Sequence, residues 1–287
     1  MLGNLNTVLA PVAGRACAVG AFNVTESTMF KAVVEAAEEL RAPVIVQVSP
    51  NEVEFCDVEL YRYFTDRLWH SPIPCALHYD HGKTFEGCMG AIRAGFTSVM
   101  FDGSRLPFEE NIALTREIVR AAHAAGVTVE GEVGSIGETV DFETGAVDAM
   151  VYSDADQAAR FVAETGVDAL AVSIGTVHGL VPVGYKPKIR LDVLEGIAAR
   201  VPVPLVMHGG SGMPDDQVAQ ACRQGISKVN VSSEFKRAYY ERVAQVVASD
   251  PSAASPTKIA AQAVEEVKEI VKHKIELFGS AGVVACC

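Results

Sequence analysis

The stretch Ile73-Pro74-Cys75-Ala76-Leu77-His78-Tyr79-Asp80-His81-Gly82 begins as an apolar run and ends in a carboxylate, an imidazole and a glycine. A buried strand has no structural need for that ending. An aspartate beside a histidine, where a strand leaves the core, can set a proton-transfer group next to a metal ligand. Similar apolar or β-branched segments recur at 19–24, 44–49, 74–82, 98–103, 127–134, 169–175, 204–210 and 228–233. Between them lie amphipathic patterns such as 28–40, 86–94, 109–125, 154–165 and 214–224. Strand–helix alternation with near-continuous apolar strands implies parallel pairing with helices outside. Eight such units in 287 residues predict a closed (β/α)8 TIM barrel rather than an open doubly wound sheet.

The ends of these segments support a barrel. They finish in Asn23, Ser49, Asp80-His81, Asp102-Gly103, Glu130-Gly131-Glu132, Gly175, His208-Gly209-Gly210 and Asn230. In a barrel those ends share one rim, where strands fix position and the following loops vary. No composition shift marks a second domain, so residues 1–287 read as one barrel domain. Its C-terminal helical segment is expected over about 250–287, after a Pro/Ser-rich break at 250–256. The closing helix, 258–277, alternates Glu and Lys, which reads as a solvated face or an oligomer contact.

Bulk properties narrow the class. Hydrophobic residues make up 49% and charged residues 21%, as in a well-buried globular enzyme. A net charge of −12 argues against nucleic acid as a partner, which needs a basic surface. It leaves room for a small phosphorylated molecule held by a few local donors. No apolar run approaches the ~20 residues that a membrane helix requires. Residues 1–5 carry neither a basic n-region nor a long apolar h-region, so no signal peptide is expected. The seven cysteines are odd in number and show no CxxC spacing, which suits reduced thiols packed in a cytoplasmic protein.

Three elements of chemistry stand at the rim. His81, His178 and His208 each adjoin a glycine that lets the backbone turn sharply. Converging there, three imidazoles make an open site for a divalent ion such as zinc. No local spacing rule supports them, so this pattern alone leaves metal ligation and ordinary packing both open. His78, inside the strand, reads as a packed core histidine or as a partner behind the site. His70, His123 and His273 fall in helical or connecting segments and read as solvated or capping. The second element is a pair of turns, Gly209-Gly210-Ser211-Gly212 and Asn230-Val231-Ser232-Ser233, each leading into a helix. Backbone N–H groups at such turns can cradle an anion, and late strands are the usual phosphate position in barrels. The third is a set of carboxylates, Asp80, Asp102 and Glu132, at strand ends. Desolvating a rim glutamate is costly without a partner, so a metal, a catalytic role or a salt bridge must account for it.

Together these residues are similar to the class II, metal-dependent ketose-bisphosphate aldolases of the fructose- and tagatose-bisphosphate group. The matching motifs are Ala21-Phe22-Asn23-Val24, Ala76 to Gly82, Val129-Glu130-Gly131-Glu132-Val133-Gly134, Gly175-Thr176-Val177-His178-Gly179, His208-Gly209-Gly210-Ser211-Gly212, Lys228-Val229-Asn230-Val231 and Glu276-Leu277-Phe278-Gly279-Ser280. The resemblance implies that His81, His178 and His208 hold one catalytic zinc, with Asp102 and Glu132 at an alternate, outward metal position. It implies that Asp80 is the acid/base acting on the hydroxyl of the C3–C4 bond. Gly179, Gly209, Gly210, Ser211, Asn230, Val231, Ser232 and Ser233 are expected to bind dihydroxyacetone phosphate, with Asn23 and Ser49 beside them. A monovalent cation, Na+ or K+, near the phosphate turns and a homodimer or homotetramer follow from the same resemblance. The implied reaction is reversible cleavage of a ketose 1,6-bisphosphate or related ketose 1-phosphate to dihydroxyacetone phosphate and an aldehyde, a step of carbohydrate metabolism of the glycolytic type. Zinc as a Lewis acid makes a Schiff-base lysine unnecessary.

Two departures set this chain apart from the family's pattern. Aligned from Glu132, the glutamate that exchanges protons with the enediolate carbon falls on Val140, leaving Glu138, Asp141 or Glu143 to replace it. Lys258 stands where many relatives carry an arginine near a second phosphate, and a lysine lacks the bidentate fork. The loop 180–187 also reads as long. The competing expectation is a catalytically weak relative that binds a sugar phosphate as sensor or scaffold.

Overall fold

Eight parallel strands close into a barrel in the computed structural model of this chain, and ring order follows sequence order. The structure describes residues 1–141, 146–147, 150–179, 181, 187–250 and 255–284. Helix α1 (Leu5–Leu9) precedes the first strand, β1 (Val19–Asn23), which leads to α2 (Ser27–Glu39). Strand β2 (Val44–Val48) is followed by α3 (Pro50–Phe55) and α4 (Val58–Trp69), and β3 (Cys75–Gly82) by α5 (Phe85–Arg93). Then come β4 (Ser98–Phe101), α6 (Phe108–Ala124), β5 (Thr128–Val133), α7 (Ala155–Thr165), β6 (Ala169–Val172) and α8 (Leu191–Ala198). The chain continues through β7 (Leu205–Met207), α9 (Asp215–Arg223), β8 (Ile226–Val231), α10 (Ser233–Ser249) and α11 (Pro256–Leu277). Strand β8 pairs in parallel with β1, Val19 opposite Lys228 through Phe22 opposite Val231, and this closes the ring. A three-stranded sheet of 137–141, 146–147 and 177–178 stands beyond the ends of β5 and β6. Among the described residues no helix is long and apolar enough to cross a membrane.

Strand alternation sorts the core into two parts. Phe22, Val44, Val46, Leu77, Val99, Val129, Val133, Leu170, Val172, Leu205, Met207, Val229 and Val231 face outward and meet the helices. Val19, Ala21, Ile45, Ala76, Met100, Ala169, Ala171 and Val206 face the barrel axis. Helix α1 closes the lower end of that interior with Leu5, Val8 and Leu9. Asn4 caps α1 through Thr7 N, and Leu5 N donates to Thr128 Oγ1 on β5 at 3.0 Å.

Carrying the inward parity up each strand leads from this apolar layer to a polar one. Ala21 gives way to Asn23, Ile45 to Gln47, Ala76 to His78 and Asp80, Met100 to Asp102, and Val206 to His208. On β5 the inward residues are Glu130 and Glu132, and on β8 they are Lys228 and Asn230. His81 breaks the parity, because two consecutive residues cannot both face inward on a regular strand. The break is local: His81 has φ 56°, and the β3–β4 register slips between Tyr79 and Gly82. A left-handed histidine stores roughly 1–3 kcal/mol of strain, so the surrounding contacts must hold it there. For this ligand the turn resides in the histidine itself, not in the adjoining glycine. Gly82 instead permits close packing, since a Cβ there would lie 2.7 Å from Met100 O.

The closing helix departs from the expected solvated face. Lys268 and Lys274 are buried and ion-paired, Lys268 to Glu39 of α2 at 2.6 Å and Lys274 to Glu234 of α10 at 3.0 Å. The charge run thus docks α11 on its neighbours, with half-buried Lys272 also paired to Glu39 at 2.7 Å, while Glu265, Glu266, Glu269 and Glu276 keep the exposed pattern expected of it. Removal of the Leu5 side chain would leave a cavity at the barrel floor. Leu5→Ala is expected to cost about 2–5 kcal/mol, read as a lower urea midpoint at constant slope. An unchanged midpoint would show that α1 does not seal the interior.

Candidate active site

The rings of His81, His178 and His208 meet at the barrel mouth. Their centroids lie 4.9 Å (His81–His178), 4.7 Å (His81–His208) and 5.8 Å (His178–His208) apart. One ring nitrogen from each falls within 4.8 Å of the others. His208 Nδ1 and His81 Nε2 face each other at 3.0 Å. A second set, His81, Asp102 and Glu132, meets the same limit and shares His81. Gly209 makes the turn after β7 with φ 65°, and a Cβ there would meet Val177 O at 2.3 Å. Val177 and His178 form the short strand that pairs with Gly137 and Glu138, so the tripod spans β3, β7 and the loop sheet.

The donor set fits a divalent cation. Three imidazoles that each turn a ring nitrogen toward the others, beside an open cleft, match a catalytic site that keeps a position for substrate. The back nitrogens are held as ligating histidines require: His81 Nδ1 lies 3.0 Å from Asp102 Oδ2, and His208 Nε2 lies 2.8 Å from Glu130 Oε1. Buried Glu132 Oε2 has no hydrogen-bond partner, as expected of an atom meant for an ion. Asp102, by contrast, is already engaged by His81, Lys83 and Ser104.

Electrostatics agree with this arrangement. Burial, with the nearby Asp102 carboxylate, pushes Glu132 up to about 8. Burial would lower His81, but Asp80, Asp102 and Glu132 outweigh it and raise the imidazole to about 9. Burial, with the His81 imidazolium and the His208 ring beside it, pushes His178 well down. Burial also lowers His208, against the opposing pull of Glu130. At neutral pH one imidazolium therefore stands among three rings, a charge that a cation would replace.

Asp80 lies beside this tripod, buried between two amides. Asn23 Nδ2 donates to its Oδ2 at 2.7 Å and Asn230 Nδ2 to its Oδ1 at 3.2 Å. Gln47 Nε2 in turn donates to Asn23 Oδ1 at 3.0 Å, which fixes that amide. Burial opposes ionisation of Asp80, yet the His81 imidazolium, the His208 ring and the Lys228 ammonium hold it well below the usual carboxylate range. It is thus a fixed, ionised carboxylate at a strand end.

A cleft of about 200 Å³ opens over these groups, lined by Asn23, Ser49, Asp80, His81, His178, Gly179, Gly209, Ser211, Asn230, Ser232 and Ser233. The structure does not bring every expected residue to it. Gly210 serves the backbone, its N–H donating to Asn230 O at 2.9 Å. Val231 faces the helices, opposite Phe22. Lys258 is exposed in the first turn of α11 and does not line the cleft. The side chains of Glu138 and Asp141, all of Glu143, and most of the loop 180–187 lie outside the described residues. Two lining residues went unrecognised in the sequence, Glu52 and Lys236, joined at 2.7 Å. Each stands three residues beyond an expected site residue, Ser49 and Ser233, at the start of a helix, and helical spacing was the available signal. Ser211 Oγ accepts from Ser232 N at 3.0 Å and Glu234 N at 3.4 Å, tying the two turns together at the N-terminus of α10. His78 is both core and partner: it is fully buried, and its Nδ1 meets Ser98 Oγ at 2.8 Å. Burial and the Lys228 charge push it down to about 3, so it stays neutral.

Because His81 holds a proton near neutrality, ligation by the three imidazoles must displace it. Zinc affinity, measured by chelator competition, is expected to rise with pH from about 6 to 9, with net release of about one proton per ion near pH 7. A pH-independent affinity would contradict these ligand assignments.

Comparison with known proteins agrees with the geometry. Residues 3–283 match the family described as class-II fructose-bisphosphate aldolase. The chain is 39% identical over 273 residues to the 6-phospho-5-dehydro-2-deoxy-D-gluconate aldolase of Bacillus licheniformis, covering 94% of this chain and 92% of that one. It is 38% identical over 270 residues to the fructose-bisphosphate aldolase of Geobacillus stearothermophilus, covering 92% of each. Among solved structures, the YdjI aldolase of Escherichia coli K12 superposes with a TM-score of 0.86 at 32% identity, over 99% of this chain and 100% of that one. With the barrel, the histidine tripod and a match along nearly its whole length, the chain belongs to the class II fructose-bisphosphate aldolase family and is a lyase.

Proposed function

We propose that this aldolase is zinc-dependent and cleaves a ketose 1-phosphate or 1,6-bisphosphate reversibly to dihydroxyacetone phosphate and an aldehyde. The observation that carries this reading is Asp80, clamped between Asn23 and Asn230 next to His81 of the tripod. His81, His178 and His208 would hold a divalent ion, which would supply Lewis-acid stabilisation of the negative charge that cleavage leaves beside a carbonyl. Asp80 takes the proton of the hydroxyl on the carbon that becomes the aldehyde, and returns it in synthesis. Asn23 and Asn230 keep both its oxygens in place without being able to protonate it. The turns at 209–211 and 230–233, at the N-terminus of α10, bind the phosphate and so supply binding energy remote from the reacting carbons. Glu138, Asp141 and Glu143 are the candidates for the second proton exchange, at the carbon beside the carbonyl.

The names of the two relatives narrow the substrate class. Fructose bisphosphate and 6-phospho-5-dehydro-2-deoxy-D-gluconate both carry a ketone next to a phosphorylated carbon, and differ at the far end. The cleft therefore has to recognise the shared end. Lys236 is the only lysine or arginine among its described lining residues, and Glu52 already pairs with it. That single cation suits one phosphate better than two.

Purified protein loaded with zinc is expected to release dihydroxyacetone phosphate from at least one of fructose 1,6-bisphosphate, tagatose 1,6-bisphosphate or a ketose 1-phosphate, and to stop on chelation. Cleavage that survives removal of the metal, or no cleavage of any of them, would sink the reading. Asp80→Ala is expected to retain zinc while kcat falls by roughly 10²–10⁴-fold. Loss of the metal with the carboxylate would mean that Asp80 is a ligand and not the base.

A further inference from the structure

Lys228 lies fully buried in the middle of β8 and points into the barrel beneath the site. Desolvating an ammonium costs several kcal/mol, and an apolar residue of similar volume would suit a barrel interior better. Its two contacts suggest what it does there. Nζ lies 2.8 Å from Glu130 Oε2 and 2.8 Å from Asn230 Oδ1. The first contact leads through the carboxylate to His208, whose Nε2 is 2.8 Å from Glu130 Oε1 and whose Nδ1 faces His81. The second leads through the amide to Asp80, since Asn230 Nδ2 donates to Asp80 Oδ1.

Each branch selects one of two arrangements. A neutral imidazole carries its proton on one nitrogen and can ligate only through the other. An ionised carboxylate only accepts, so Glu130 demands N–H at Nε2 and leaves the Nδ1 lone pair for an ion. An asparagine amide can face either way, but an ammonium has no acceptor. Asn230 must therefore present Oδ1 to Lys228 and its NH2 to Asp80; turned over, its carbonyl would face the carboxylate.

We propose that Lys228 is a positioning residue common to both halves of the site, setting the His208 tautomer through Glu130 and the Asp80 clamp through Asn230. The inference rests on the metal site of the proposed function but not on the substrate.

The decisive pair of variants is Glu130→Gln and Lys228→Met/Glu130→Gln. With Lys228 present, the ammonium claims the amide oxygen of the substituted side chain. Its NH2 then turns toward His208 and moves the ring proton to Nδ1. Zinc affinity is expected to fall about 10–100-fold. In the metal-free protein, the 15N shifts of the His208 ring should report the exchanged tautomer. Adding Lys228→Met removes the ammonium, so the amide can turn its oxygen to His208. Tautomer and zinc affinity should then return to within a few-fold of the parent, and the double variant carries no unpaired buried charge. Without the ammonium Asn230 Oδ1 loses its donor and the amide is held only through Asp80, so the side-chain NH2 signal of Asn230 should shift and broaden in the double variant.

An unchanged tautomer and affinity in Glu130→Gln would overturn the proposal. So would a double variant that binds zinc no better than the single one, or an Asn230 signal indifferent to Lys228. All three readouts are taken without substrate. A parent protein that passes them yet cleaves no ketose phosphate would sink the substrate assignment alone.

Discussion

Inside a closed ring of parallel strands, every second side chain is forced toward one axis, where it meets those of the other strands. That constraint organises this molecule. At the floor the converging side chains are Val19, Ile45, Ala76, Met100, Ala169 and Val206, sealed by α1. One step higher, the same parity delivers Asn23, Gln47, His78, Asp80, Glu130, Glu132, Lys228, Asn230 and His208 into buried positions beneath the cleft and along its floor. Polar groups in such a place must satisfy one another. They do so as a continuous network, from Gln47 through Asn23 to Asp80, on to Asn230 and Lys228, then through Glu130 to His208.

This network explains why the site can be rigid without a single covalent tie between its strands. Asp80 and His208 are joined by three residues on two strands, Asn230 and Lys228 of β8 and Glu130 of β5, each bond made in low dielectric, where an unmade bond is costly. The strained residue of the site, His81, sits where the network ends and the histidine cluster begins. Two outward-facing neighbours hold its strand, Leu77 and Tyr79, and Asp102 holds its ring. The strain brings two successive residues, Asp80 and His81, to the same side of one strand.

Much of this was legible before any coordinates. The alternation of apolar segments and amphipathic stretches marks eight strand–helix units, and the observed strands fall within or close to the expected limits. The clustering of Asp80, His81, His208 and Asn230 at strand ends was visible as polar endings on apolar runs. Other features were not. His78, Glu130 and Lys228 look like interruptions in apolar strands, and only pairing across the barrel shows that they answer one another. Glu52 and Lys236 stand 184 positions apart, on helices whose first turns happen to meet across the cleft. Lys258, which a point-charge role at a second phosphate would need in the cleft, is exposed on α11 instead.

The sequence by itself determined the period-two and helical patterns, and hence the barrel, the identity of the polar endings and the family. These are properties of neighbouring residues and of their hydrophobicity, which the linear order records. The tertiary structure alone decided which ring nitrogen of His208 faces the tripod, which way the amides around Asp80 turn, and that a histidine rather than a glycine adopts the left-handed backbone in β3. Those choices depend on hydrogen-bond partners tens to more than a hundred residues away, brought within 3 Å only by closure of the ring.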